Sequence, residues 1–165
     1  MKKYELLKDD TIEVAGKTLF RIKALISFKD IRKGEIGGYV EAERNLSQSD
    51  NAWVTGNAWV CDDACVTGNA HVSGNACVTG NARVSDNAWV SGNAWVETSN
   101  DYIVFKNNWS SFRWFTYTKS NKMWRVGCFY GTGDELIKEA YADSEESGRK
   151  YELYVNLVKE LYRDE

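Results

Sequence analysis

The chain has a single histidine, His71, in 165 residues. A metal site that needs three imidazoles cannot be built from it, because even two copies sharing a site supply only two. The four cysteines, Cys61, Cys65, Cys77 and Cys128, follow no pairing pattern, so free thiols in a reducing cytoplasm are expected rather than a disulfide framework. Long apolar runs are missing too. No segment approaches the roughly eighteen consecutive apolar residues of a membrane helix. The opening MKKYELLKDDTIEV carries charge throughout, so no secretory signal is expected. Nor is there an excess of one charge: a net −3 and a pI near 5.3 give no general attraction to nucleic acid or to an anionic membrane. Locally the balance shifts. Between Tyr102 and Gly133 there are five basic residues and no acid, whereas from Asp134 onward ten acids face five bases.

What the chain has is a period. Eight consecutive six-residue units fill residues 51–98: NAWVTG, NAWVCD, DACVTG, NAHVSG, NACVTG, NARVSD, NAWVSG, NAWVET. Ala and Val lie two apart in each unit, so in an extended segment both point to one side and the residue between them to the other. Eight Ala and eight Val (Val54, Val60, Val66, Val72, Val78, Val84, Val90, Val96) are therefore expected inside. Gly-Asn or Asp-Asn after each short strand supplies residues that tolerate positive φ at a sharp corner. A strict short period of this kind predicts a solenoid whose coils bury one another.

This pattern resembles the left-handed parallel β-helix of hexapeptide-repeat proteins, in which three units make one triangular coil. The resemblance implies about three coils here, and residues eighteen apart would then stack at roughly the 4.8 Å strand spacing. Trp53, His71 and Trp89 form one outward column, Trp59, Cys77 and Trp95 a second, and Cys65 and Arg83 a third. Four tryptophans at roughly 150–250 Å² each would expose on the order of 800 Å², close to one partner's share of a standard interface. Either the chain's own flanks or another copy should cover them. Because proteins of the resembled family are usually homotrimers, Trp53, His71, Trp89, Trp59, Cys77 and Trp95 are the expected oligomer interface.

The flanks read as folded. In residues 1–50, KYELL, TIEV and TLFRIKAL are expected strands, the last two joined by a hairpin at Ala15-Gly16-Lys17. Residues 45–50 are expected to form a degenerate lead-in unit, with Leu46 in an Ala place and Gln48 in a Val place, because a solenoid end needs covering. After Val96 the register fails. DYIVFK, SFRWFTYT and MWRVGCFY read as three strands. Thr132 and Glu135 make a T-x-x-E capping box for a helix to about Tyr141, and Ser144 to Leu161 carries the apolar spacing of a second. The expected architecture is thus mainly β: an N-terminal β-hairpin cap (1–50), a left-handed β-helix (51–98) and a C-terminal α+β unit of three strands and two helices (99–165). With GEIGGYVEAERNLS before the repeats and VGCFYGTGDEL after them, most of the chain resembles uncharacterised hexapeptide-repeat proteins of bacteriophages and prophages.

Candidate chemistry follows from these parts. The resembled acyltransferases use a histidine as general base at a subunit cleft, which makes His71 the catalytic candidate. No inserted loop forms an acceptor pocket, however, and no acyl-CoA signature is present. Carbonic anhydrases of this fold need three histidines per zinc, which this chain cannot supply. Cys61 and Cys65 diverge at a coil corner and lack a second pair. No cofactor or metal is expected. The aromatic, basic stretch around Trp109, Phe112, Trp114, Phe115, Tyr117 and Trp124 has the ingredients of a nucleic-acid platform. Strand alternation commits one of its faces to a core, so Arg113, Lys119, Lys122 and Arg125 are expected to bind a protein or an anion instead. The Asn ladder (Asn51, Asn69, Asn87; Asn57, Asn75, Asn93) is explained by corner geometry and amide stacking. The sequence is therefore read as a non-enzymatic, trimeric binding protein. The phage resemblance implies a counter-defence factor in the host cytoplasm that blocks an immune protein or sequesters its nucleotide signal. An acyltransferase using His71 and a structural virion or assembly component are the alternatives.

Overall fold

The computed structural model describes residues 1–164 and is mainly β, with a β-solenoid of about three coils and a helical C-terminal part. Each six-residue unit contributes one two-residue rung: β4 (Trp53–Val54), β5 (Trp59–Val60), β6 (Cys65–Val66), β7 (His71–Val72), β8 (Cys77–Val78), β9 (Arg83–Val84), β10 (Trp89–Val90) and β11 (Trp95–Val96). Rungs eighteen residues apart pair in parallel, Trp53 on His71 on Trp89 and Trp59 on Cys77 on Trp95, with Cys65 on Arg83. Every Ala and Val of the eight units is buried. At the corners Gly56, Asp62, Gly68, Gly74, Gly80, Asp86 and Gly92 take φ of 58° to 67°. Asp is among the few residues that tolerate this region. Asp62 also uses its carboxylate, accepting from the Gly80 amide one coil above at 3.1 Å, as Asp50 does from Gly68 at 2.6 Å.

The coil has a chemical direction. Alternate residues donate upward, Trp53 N to Ala70 O and Thr55 N to Val72 O, and so on along the chain, while parallel pairing turns each Val amide to the rung below. The first coil is consequently left with the carbonyls of its Ala and Val residues, and the last with the amides of the residues on either side of Val together with some carbonyls, and buried groups of either kind must be paired.

The first end is met from residues 1–45. β1 (Tyr4–Val14), β2 (Lys17–Ala24) and β3 (Ile36–Val40) are antiparallel neighbours, and β3 then runs parallel to β5, extending the second solenoid face into a six-stranded sheet. KYELL and TIEV are one strand, not two, because a bulge between Leu7 and Thr11 carries the pairing through the polar residues. Gly37 and Gly38 allow β3 its close approach: a Cβ on either would come within 2.5 Å of the Val54 or Ala58 carbonyl oxygen. The lead-in register also differs from the sequence expectation. Leu46 pairs with Val66 and so holds a Val place, while the Gln48 side chain turns aside to accept from the Lys3 and Tyr4 amides. Val40 beneath Val60 and Leu46 beneath Val66 are each twenty residues below their partners, so the corner before Trp53 is two residues longer than the later ones.

The C-terminal sheet has four strands: β12 (Tyr102–Lys106), β13 (Trp114–Thr118), β14 (Met123–Val126) and β15 (Phe129–Thr132). MWRVGCFY folds back on itself because Gly127, at φ 57°, lets a two-residue turn form with Cys128. α1 (Gly133–Asp143) and α2 (Glu145–Leu161) follow, capped by Thr132 and Ser144, and the Thr132–Glu135 box forms in both directions. The sheet lies between two layers. Phe115, Tyr117 and Trp124 pack against Leu136, Tyr151, Val155 and Val158 of the helices. On the opposite side, Thr116 and Arg125 meet Trp89, and the Tyr130 hydroxyl closes over Gly92.

Candidate functional site

The first column is covered by its own chain. Trp53 is completely buried, with Phe28 at 5.4 Å and Tyr4 at 6.4 Å from its ring. The expectation that it stands on an exposed face is corrected: the N-terminal strands and the loop carrying Phe28 fold over it. Above it, the His71 ring lies 5.2 Å from that of Trp89, whose indole donates to Ser73 Oγ at 2.9 Å while Arg125 lies 3.9 Å over its other part. Burial holds the His71 pKa below its usual 6.5, with Asp30 acting weakly in the opposite direction. No side-chain hydrogen bond orients the imidazole among the described residues. A general base positioned by a carboxylate is not the arrangement found here.

The second column is partly covered. Trp59 joins Ile12 and Val14 against Leu19, Tyr39 and Cys61, and Trp95 contacts it edge-on at 5.9 Å. Trp95 remains 49 % exposed. Cys77 is buried in this column, and burial, helped by nearby Cys61, pushes its pKa up to about 11, so it is a protonated thiol. All four cysteines are free. No group of three His, Cys, Asp or Glu could hold a metal ion among the described residues. The aromatic patch of about 800 Å² expected from the sequence is thus reduced chiefly to Trp95, flanked by half-buried Trp59.

The four basic residues nominated from sequence do not form one patch. Arg125 is folded onto Trp89 and donates to the Gly127 carbonyl, joining the sheet to the coil. Lys119 faces Asp101 at 3.8 Å and the Tyr162 ring. Arg113 and Lys122 are exposed at two separate cavities. Of the Asn ladder, the Asn51–Asn69 rung is made at 3.2 Å, and Asn93 pairs instead with Asn121 of the C-terminal sheet.

The family described as the YdcK beta solenoid repeat matches residues 82–98. No curated protein matches the chain. The matched stretch is the last coil, and the likeness therefore concerns the repeat.

The larger cavity of the C-terminal unit, about 340 Å³, opens between sheet and helices. Its floor is built by Asn107, almost wholly buried, which accepts from the Trp109 and Ser110 amides and donates to the Tyr151 hydroxyl at 3.0 Å. Ser147 accepts from the Trp109 indole at 3.0 Å. Arg113, Glu139 and Asp143 line it. Phe112, 64 % exposed, precedes Arg113, and Trp114 lies beneath Lys106. Sequence reasoning did not single out Asn107. The available signal was Asn-Asn-Trp-Ser-Ser, in which a side-chain-closed turn is followed by an aromatic, but its partners Ser147 and Tyr151 lie some forty residues away. No helix among the described residues is long and apolar enough to cross a membrane.

Proposed function

We propose that the chain is a non-enzymatic binding protein in which the solenoid is a mount and the C-terminal α+β unit is the binding part. The observation that carries this reading is the cavity between Arg113, Glu139 and Asp143, floored by hydrogen-bonded Asn107 and Tyr151, on a unit tied to the last coil by several side chains. Two carboxylates sharing a cavity with a single guanidinium suit a polar segment of a protein better than a nucleotide, whose phosphates they would repel. His71, held among rings without an orienting partner, supports a packing role over the acyltransferase role.

In its finer form the proposal follows the sequence resemblance: a left-handed hexapeptide-repeat helix, a phage-encoded counter-defence factor in the host cytoplasm, and a trimer. Self-association in this reading falls to the second column, where Trp95 is half exposed. Affinity capture from bacterial cells compares the wild type with Arg113→Glu and with Glu139→Lys/Asp143→Lys. A partner retained by the wild type and lost with both variants supports the site. A partner set unchanged by them removes it. Acetyl transfer from acetyl-CoA, abolished in folded His71→Ala, would replace the binding reading with the enzymatic one.

A further inference from the structure

A second cavity in the C-terminal unit, about 290 Å³, lies between β14 and the helices, on the far side of Trp124 from the solenoid layer. Its walls are apolar, from Tyr117, Val155 and Val158. Trp124 is only 1 % exposed as a residue; its indole N–H has no acceptor among the described residues and is not one of the fully buried unpartnered atoms, so it is reached from the cavity. That nitrogen points toward the start of α1: a side chain placed on Gly133 would begin 3.4 Å from it. By contrast, the polar groups on the floor of the larger cavity already satisfy one another.

The start of α1 adds to this lone donor. Thr132 and Glu135 bond each other's backbone, which serves the cap and the third helical position. The first-turn amides between them cannot be paired by the helix itself and carry the positive end of its dipole. Lys122 and Lys159 line the mouth; Asp134 stands 3.9 Å from Lys159 and offsets part of that charge. An indole N–H facing the cavity is met by water there, and a ligand that supplies an acceptor replaces that water.

We infer that this cavity binds a small carboxylate carrying an apolar group: the carboxylate accepts from Trp124 Nε1 and the first-turn amides of α1, and the apolar body lies against Tyr117, Val155 and Val158. The polar groups stand at the mouth, so the apolar walls favour a ligand with an apolar body over a nucleotide or a free inorganic anion. The same chemistry is presented by a free aromatic acid and by the terminal residue of a peptide, and the two sources are separable.

The test is an NMR titration of the full chain that follows the Trp124 indole N–H, with 3-phenylpropionate and 3-phenylpropanol as probes up to roughly 10 mM. The acid should shift the indole resonance saturably and bind about tenfold or more tightly than the alcohol, as expected of a hydrogen bond to a charged group. Equal binding of acid and alcohol would reduce the cavity to an apolar hole and overturn the proposal, as would no shift with the acid. Trp124→Phe keeps an aromatic ring and should lose the preference for the acid; retention of the preference also overturns it. Should that variant not fold, the acid and alcohol arms on the wild type still decide. A short peptide ending in Phe, as free acid and as amide, identifies the source: tighter binding of the free peptide acid than of 3-phenylpropionate assigns the site to chain termini, and the reverse to small acids.

Discussion

At its first coil the solenoid presents carbonyls, and the side chains that meet them are donors. Lys3 reaches Asp50 O and Ala52 O at 2.9 and 2.6 Å, Arg21 reaches Gly56 O, Arg44 reaches Asp62 O, and Asn45 spans Asp62 O and Ala64 O. At its last coil it presents amides as well as carbonyls: the Tyr102 hydroxyl donates to Arg83 O at 2.7 Å, and the side chains that meet the amides are acceptors. Ser99 takes Arg83 N, the Tyr102 hydroxyl takes Ser85 N, Thr116 takes Trp89 N, Ser120 takes Trp95 N, and Asp101 takes Glu97 N. The difference follows from the odd-numbered residues of the repeat, whose amides all donate toward the next coil; the Val amides point the other way, to the rung below. A solenoid end is thus closed by side chains of defined polarity as well as by bulk, and the two flanks of this chain are not interchangeable. The first flank closes over Trp53 and borders open, charged clefts at Lys17, Glu41 and Arg44 and at Lys2 and Glu43, whereas the second adds a sheet and two helices and opens cavities between them.

Reversing the polarity at the first end should have the largest effect. Lys3 is 1 % exposed, so Lys3→Glu would set a buried carboxylate against two carbonyls beside Asp50 and should cost about 3–5 kcal/mol, the range for an uncompensated buried charge. A urea midpoint within error of the wild type would break the comparison. In the middle coil, where neither flank acts, Val72→Ala should cost about 1–3 kcal/mol by loss of packing alone. This variant gives the reference against which both ends are measured. At the last end, Thr116→Val keeps the shape but removes the acceptor for Trp89 N–H, and should cost about 1–2 kcal/mol, the penalty for one unsatisfied buried donor. Thr116→Ser should restore most of it.

A further effect is one of pH. Burial brings the Lys3 pKa from its usual 10.5 down to about 8, with Asp50 opposing the shift. Between those values the unfolded chain holds a proton that the folded chain has released, so unfolding free energy should rise as pH increases from about 8 to 10.5. Below pH 8 both states are protonated and this contribution is flat. Lys3→Met should remove the rise, as read from urea midpoints across that window.

The repeat was legible because its information is local. Ala and Val two apart, with Gly or Asp at the corner, specify inward and outward faces within six residues, and the stacked columns followed from the period. The helix starts were legible for the same reason: Thr132 with Glu135 and Ser144 ahead of an apolar stripe act within one turn. What could not be read is non-local. Nothing around Trp53 says that Phe28 and Tyr4 will cover it, since its unit, NAWVTG, differs little from the NAWVSG of half-buried Trp89. The cations of the C-terminal third were visible as composition, but Arg125 is spent on Trp89, and the cavity floors depend on Asn107 with Tyr151 and Trp124 with Gly133, pairs joined only by the tertiary fold. The split of MWRVGCFY into two strands turned on a single glycine within an aromatic run.

Amide hydrogen exchange, resolved residue by residue under conditions where each variant stays folded, tests the opposite polarity of the two ends most directly. In Thr116→Val the Trp89 amide should lose protection, because its only acceptor was the removed hydroxyl. In Lys3→Met the Trp53 amide should keep its protection, because it donates upward to Ala70 O and the lost bonds were to carbonyls. Unchanged exchange of Trp89 in the first variant, or deprotection of Trp53 without global destabilisation in the second, would contradict the account.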